Sequence, residues 1–325
     1  MEKIKRRDFL GSAVAGTAGA LLAGSLVEAA PAKTEPTRPA PAKPVPLKAE
    51  LDPTALVPLG KNLKVCRIGA GTGTIGGNRQ SNQVKLGKEK FENLLRCAYE
   101  QKVRLFDCAD LYGSHPYVAR ALRGKPRDSY QLVSKIWLYR QGLPETERPD
   151  ADVCVKRFLK ELQTDYIDLV QLHCMTNPDW PQEMRKQMDL LAKLKEQGLI
   201  RAHGVSVHSL PALKAAAEEP WVDVIHVRIN PLSAAMGQDK IDDVVPVIQA
   251  AHQAGKGIIG MKLAGEGKFD EKQREESIHW ALGLGCVDVL VVGFEQQEQV
   301  DELKISIRKK LIAMAHQRHP EAALA

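Results

Sequence analysis

Arg104-Leu105-Phe106-Asp107-Cys108-Ala109-Asp110-Leu111-Tyr112 is a short apolar run that ends on an acid and opens into a loop. Leu105 and Phe106 read as strand, and the apolar run stops at Asp107. Tyr112 follows five residues later, and Gly113 marks a turn. An acid at a strand end with a tyrosine in the next loop suits acid–base chemistry. It equally suits a strand-end cap beside a half-buried loop tyrosine. The rest of the chain has to decide between them.

The same pattern extends in both directions. Short apolar runs of strand type alternate with longer stretches of helical period. Strands are expected over 65–69, 104–107, 131–136, 166–173, 201–207, 222–230, 257–262 and 287–293. Helices are expected over 88–101, 116–123, 151–163, 183–197, 210–218, 241–254 and 271–284, with a last one from about 298. Gly198 and Gly255 stand where helices should stop, and Asp150 stands where an N-cap should. Near-continuous apolar strands such as Val289-Leu290-Val291-Val292 suit a parallel sheet covered on both faces. Eight such units predict a single (β/α)₈ TIM barrel. The competing open doubly wound sheet lacks its GxGxxG turn at the first helix.

The 325 residues are 44% apolar and 26% charged, with a net charge of +6. That composition fits a folded domain with a sizeable core. Part of the positive excess sits at Lys3, Lys5, Arg6 and Arg7. The remaining charge is mixed, so no nucleic-acid surface is expected. Arg6-Arg7-Asp8-Phe9-Leu10 precedes a mild Gly/Ala-rich run, 11–27, too interrupted for a stable membrane span. This start resembles a twin-arginine signal, which implies the twin-arginine export machinery as a partner and a periplasmic or otherwise exported protein. The expected organisation is a signal over 1–29 cut after Ala29, a disordered Pro/Ala/Lys-rich linker over 30–54, the barrel over 55–316 and a flexible tail over 317–325. Cys66, Cys97, Cys108, Cys154, Cys174 and Cys286 form no CxxC pair. Buried free thiols are expected, and no metal site.

In a barrel, chemistry gathers where strands end. Gly71-Thr72-Gly73, Asp107 with Tyr112, Ser134-Lys135, His173, Gly204-Val205-Ser206, Asn230, Met261-Lys262 and Gly293 stand there. Four of these form a set. Tyr112 can protonate a carbonyl oxygen, and a nearby Lys135 ammonium would lower its phenol from about 10. Asp107 would hold Lys135, and His173 would orient the substrate oxygen.

On these residues the chain resembles the aldo-keto reductases, from about Val57 to Leu303. The motifs that carry the likeness are VPLGKNLKVCRIGAGTG, FDCADLYG, LVSKI, YIDLVQLH, IRAHGVSV, RINPL and VLVVGFEQQEQVDE. The resemblance implies reversible hydride transfer between NAD or NADP and an aldehyde or ketone. Asp107, Tyr112, Lys135 and His173 would be the catalytic residues. Gly71, Thr72, Asp107, Ser206, His226, Met261, Lys262, Gly293, Gln299 and Glu302 would meet the cofactor. The chain departs from the family at Val207, where an Asn is usual, at His226, where a Gln is usual, and at Met261, where an aromatic is usual. The run Gly293-Phe294-Glu295-Gln296 carries no positive charge to grip a 2′-phosphate, so the resemblance leaves NAD and NADP open.

Trp137, Tyr139, Arg140 and Trp180 in the following loops suit a sugar or aryl substrate, or ordinary packing. His115 is a candidate second titrating group at the mouth. Two other functions fit the same residues: a catalytically altered barrel that binds or regulates, and a Schiff-base enzyme built on Lys135.

Overall fold

The computed structural model describes residues 51–144, 146 and 148–318. The expected signal, the linker up to 50 and the tail from 319 lie outside the described residues. Eight strands close into one all-parallel barrel. They are β3 (Ile68–Gly71), β4 (Leu105–Asp107), β5 (Gln131–Ile136), β6 (Ile167–Met175), β7 (Ile200–Val207), β8 (Val224–Arg228), β9 (Gly257–Met261) and β10 (Val289–Gly293). Each is followed by a long helix: α1 (Lys88–Glu100), α2 (His115–Ala121), α3 (Ala151–Leu162), α4 (Arg185–Glu196), α5 (Leu210–Glu218), α6 (Ile241–Gln253), α7 (Glu271–Gly283) and α8 (Glu298–Arg318). Closure comes from β10 pairing in parallel with both β9 and β3. Every residue of β5 is buried, as a strand covered on both faces requires.

The expected first strand, 65–69, is two strands. β1 (Leu56–Leu59) and β2 (Leu63–Cys66) form an antiparallel hairpin, and the barrel strand begins only at Ile68. The break falls at Arg67, whose amide donates to Ala55 O on the hairpin side at 3.0 Å while its carbonyl accepts from Leu290 N of the barrel at 2.9 Å; its guanidinium Nη1 also donates to the Asp52 carbonyl at 2.7 Å. The hairpin turn sits against the start of the sheet: a Cβ on Gly60 would lie 2.9 Å from the Asp223 carbonyl oxygen and 3.1 Å from Gly257 N. The hairpin therefore lies at the end opposite the strand C-termini. The linker expected through 54 ends sooner. The Asp52 carboxylate accepts from both Thr54 N and Thr54 Oγ1 at 2.8 Å, and Thr54 is buried.

Gly198 and Gly255 take positive φ after α4 and α6, as the stop signals require. Asp150 is the N-cap residue of α3, as expected, but its side chain makes no capping bond. Its carboxylate accepts from Gln187 Nε2 at 2.9 Å and pairs with Lys186, while Gln187 Oε1 takes the free amide of Ala151. All six cysteines are free thiols, four of them buried. Among the described residues no helix is long and apolar enough to cross a membrane, and no group of three metal-ligating side chains is placed to hold an ion.

Candidate active site

Asp107 ends β4 and Lys135 lies near the end of β5, so the closed sheet brings two buried side chains together. Lys135 Nζ donates to Asp107 Oδ1 at 2.5 Å and to the Cys108 carbonyl at 2.9 Å. Tyr112 ends the 3₁₀ turn Asp110–Tyr112 beyond β4. Its hydroxyl lies 3.4 Å from His173 Nε2, with the rings edge to face at 5.4 Å. Lys135 Nζ is 5.1 Å from the Tyr112 ring centre. The four expected catalytic side chains thus meet at one rim.

His173 owes its position to a bulge. The register of β6 on β7 shifts between Leu172 and Met175, and Cys174 takes φ +67°. Ser206 Oγ accepts the Cys174 amide at 2.8 Å and pins that bulge. Thr72 is committed in the same way: its hydroxyl donates to the Asp107 carbonyl at 2.8 Å and lies 2.7 Å from Ser114 Oγ. Thr72 and Ser206 are fully buried supports of the rim and do not line the neighbouring cavity.

The electrostatics differ from expectation at Tyr112. Burial, then the negative charge of Asp107, pushes the phenol well above its ordinary value. Lys135 does not reverse this: its ammonium lies 2.5 Å from Asp107 Oδ1 but 5.1 Å from the Tyr112 ring centre. Burial also raises Asp107 despite Lys135 beside it. His173 is held neutral, first by burial and then by the positive charge of Lys135.

A cavity of about 570 Å³ opens beside this rim. Gly71, Asp107, Tyr112, His226, Met261, Lys262, Gly293, Gln299 and Glu302 all line it. His226 is buried, with Nδ1 3.2 Å from Gln171 Oε1 and Nε2 without a partner. Lys262 takes φ +65° and pairs with Glu266. The Gln299 side-chain oxygen accepts from Glu295 N at 2.8 Å and Gln296 N at 3.1 Å. The size of the cleft and the unpartnered, buried His226 Nε2 in its lining are compatible with a dinucleotide.

Other residues fall elsewhere. His115, the first residue of α2, is buried against α3 and β5, bonded to Glu161 and Ser134, and is no group at the mouth. Trp180 is fully buried, its indole donating to the Ala212 carbonyl. Trp137 does reach the rim, edge-on to His173 at 5.3 Å and to Tyr139. Arg140 is exposed. Gly73 and Gly76 have a part that motif reading does not give them. A Cβ on Gly73 would overlap the Tyr112 ring, and one on Gly76 would lie 2.7 Å from Tyr112 Cδ1. The signal was the glycine density after β3, but only the folded loop shows what it accommodates.

The aldo/keto reductase family model matches residues 67–281. Over 151 residues the chain is 28% identical to methylglyoxal reductase DkgB of Salmonella typhimurium, covering 46% of this chain and 54% of that protein. It is 34% identical over 159 residues to the aldo-keto reductase YhdN of Bacillus subtilis, covering 46% and 45%. The chain spans about half the length of the curated relatives it matches. A solved Pseudomonas aeruginosa chain assigned as an aldo-keto reductase superposes with a TM-score of 0.65 at 25% identity, covering 81% of this chain and 98% of that one.

Proposed function

Because the chain belongs to the aldo/keto reductase family, we propose that it is an NAD(P)-dependent oxidoreductase that reduces an aldehyde or ketone to an alcohol, with Tyr112 as general acid. The observation that carries this reading is the Tyr112 hydroxyl held 3.4 Å from His173 Nε2, beside a buried Asp107–Lys135 pair and a cavity sized for a dinucleotide.

The cofactor, when bound, supplies the hydride that the carbonyl carbon accepts. The chain's own residues handle the proton. A carbonyl oxygen placed between Tyr112 Oη and His173 Nε2 takes a hydrogen bond from each, with His173 as the neutral Nε2–H tautomer. Tyr112 gives up its proton as the oxygen gains charge. The phenolate left behind lies near the Lys135 ammonium, which is fixed beforehand by Asp107 and needs no rearrangement. Proton transfer of this kind contributes about 10²–10⁴-fold. His226 Nε2, buried and without a partner, is the acceptor that a carboxamide NH₂ reaching it would satisfy if Nδ1–H donates to Gln171. Met261 and Lys262 would border the nicotinamide and the diphosphate.

The first substrate to try is a small 2-oxoaldehyde, since the Salmonella relative is named a methylglyoxal reductase. Tyr112→Phe should lower reduction by at least 10² while nucleotide still binds. A Tyr112→Phe protein as active as wild type would remove Tyr112 from the mechanism. Borohydride trapping of a carbonyl on Lys135 in the wild type would favour the Schiff-base reading instead. We also propose export through the Arg6-Arg7 leader, with the cofactor bound before translocation. Exported protein purified without nucleotide would count against that order of events.

A further inference from the structure

The Tyr112 turn is fixed on both sides by side chains that take no part in the chemistry proposed above. Two residues before Tyr112, Asp110 is buried, and Arg157 grips it with two bonds, Nη2–Oδ2 at 2.7 Å and Nη1–Oδ1 at 3.0 Å. Arg79 adds a third at 3.1 Å. Three residues after Tyr112, His115 bridges Ser134 Oγ at 2.8 Å and Glu161 Oε2 at 2.7 Å. Ser134 is the residue before Lys135. Arg157 and Glu161 are one turn apart on α3 and bond each other at 3.0 Å. One face of one helix therefore holds the tyrosine turn from its front, through Asp110. It holds the same turn from its back, through His115, together with the strand that carries the lysine.

We propose that Arg157 and Glu161 are positioning residues: through Asp110 and His115 they hold the Tyr112 turn against the Lys135 strand in the geometry proton donation needs. This rests on the reductase reading above. The physical ground is that a 3₁₀ turn of three residues has little intrinsic stability. Its place over Lys135 must come from outside, and a misplacement of about 1 Å at a reacting group costs on the order of 10²-fold in rate. The brace stands apart from the cofactor cavity, which none of these residues lines. Its loss should therefore appear in kcat and not in nucleotide affinity.

The test compares wild type with the double variant Asp110→Asn/Arg157→Met, which removes the buried Asp110 charge together with the Arg157 that pairs with it and leaves Glu161 its bond to His115, and with the milder Glu161→Gln. Amide hydrogen exchange over 108–114 is read together with steady-state reduction of a small 2-oxoaldehyde and nicotinamide binding by fluorescence. In the double variant, exchange over 108–114 should speed up at least tenfold with α3 unchanged. The value of kcat should fall at least tenfold, with the nucleotide Kd within twofold. Glu161→Gln should give a smaller loss in the same direction. Exchange and kcat both within twofold of wild type overturn the proposal. An equal loosening of α3 and the distant helices would show a merely structural role and overturn it as well. A wild type that binds no nucleotide and reduces nothing sinks the reductase reading itself, and the brace then stands or falls on the exchange data.

Discussion

Tyr112 must be acidic enough to protonate an oxygen and yet remain protonated until it does so. Burial and the Asp107 charge settle the second condition, since both raise the phenol. The neighbouring imidazole is simplified in the same sense: His173 is held well below its ordinary 6.5, so it stays neutral through the physiological range. The rate of reduction should accordingly show no inflection between about pH 6 and 8. A step near 6.5 in kcat would mean that His173 titrates in the working enzyme. Steric control of the same residue comes from Gly73, where any Cβ would overlap the ring. Gly73→Ala should displace Tyr112 and lower kcat by about tenfold or more, with folding retained by circular dichroism. Glu161 gives a stability prediction. Burial raises its carboxyl, but His115 and Arg157 outweigh burial and bring it to about 2. A depressed carboxylate stabilises the fold above its unfolded value of about 4.3 and loses that contribution as pH falls through the folded one. Glu161→Gln should therefore flatten the loss of stability between about pH 5 and 2, as read by urea midpoints at each pH.

At the scale of elements, the rim residues were readable because a parallel barrel places chemistry at strand C-termini, and strand ends are visible in sequence. Asp107, Lys135 and His173 stand at strand ends in the sequence, and Tyr112 follows its strand. Features that depend on contact between distant segments were not readable. The region 65–69 looks like one apolar run, and only the backbone pairing, Cys66 with Leu56 and Ile68 with Leu290, shows that it is split between hairpin and barrel. His115 looked like a group at the mouth because its number is close to Tyr112. The helix it opens turns it inward to Glu161. Trp180 looked like rim because it follows β6, yet it is core. The bulge beside His173, with Cys174 at positive φ, has no mark in the sequence. The hairpin makes its own prediction. Gly60 has φ +62° and lies tight against Asp223 O and Gly257 N. Gly60→Ala should cost about 1–3 kcal/mol of stability in denaturant unfolding. The site lies at the other end of the barrel, so nucleotide affinity should not change.

At the scale of the whole molecule, the cavity joins the rim to α7 and α8, and its charge is set by how those helices face each other. Leaving aside Asp107, which is paired with Lys135, the lining carries five glutamates: Glu266, Glu271, Glu275, Glu295 and Glu302. Against them stand three cations, Lys262, Arg274 and Lys309. All three have partners: Lys262 pairs with Glu266, Lys309 with Glu275 at 3.0 Å, and Arg274 donates to the Phe269 carbonyl at 2.9 Å. Glu295 takes a bond from Asn82 at 3.0 Å, which keeps its carboxylate in place. A diphosphate would draw on Lys262, in competition with Glu266, or on Arg274. A further phosphate on the adenosine ribose brings about two more negative charges into a cleft where acids are in excess, and at short range in a half-buried site such charges are poorly screened. NADH should therefore bind at least tenfold more tightly than NADPH, about 1.4 kcal/mol, and the gap should narrow as salt is raised. Titration of nicotinamide fluorescence at two ionic strengths measures both. Charge reversal at Glu295 to Lys should bring NADPH closer to NADH. Equal affinities in the wild type, insensitive to salt, would show that the excess of acids lies outside the reach of the ribose.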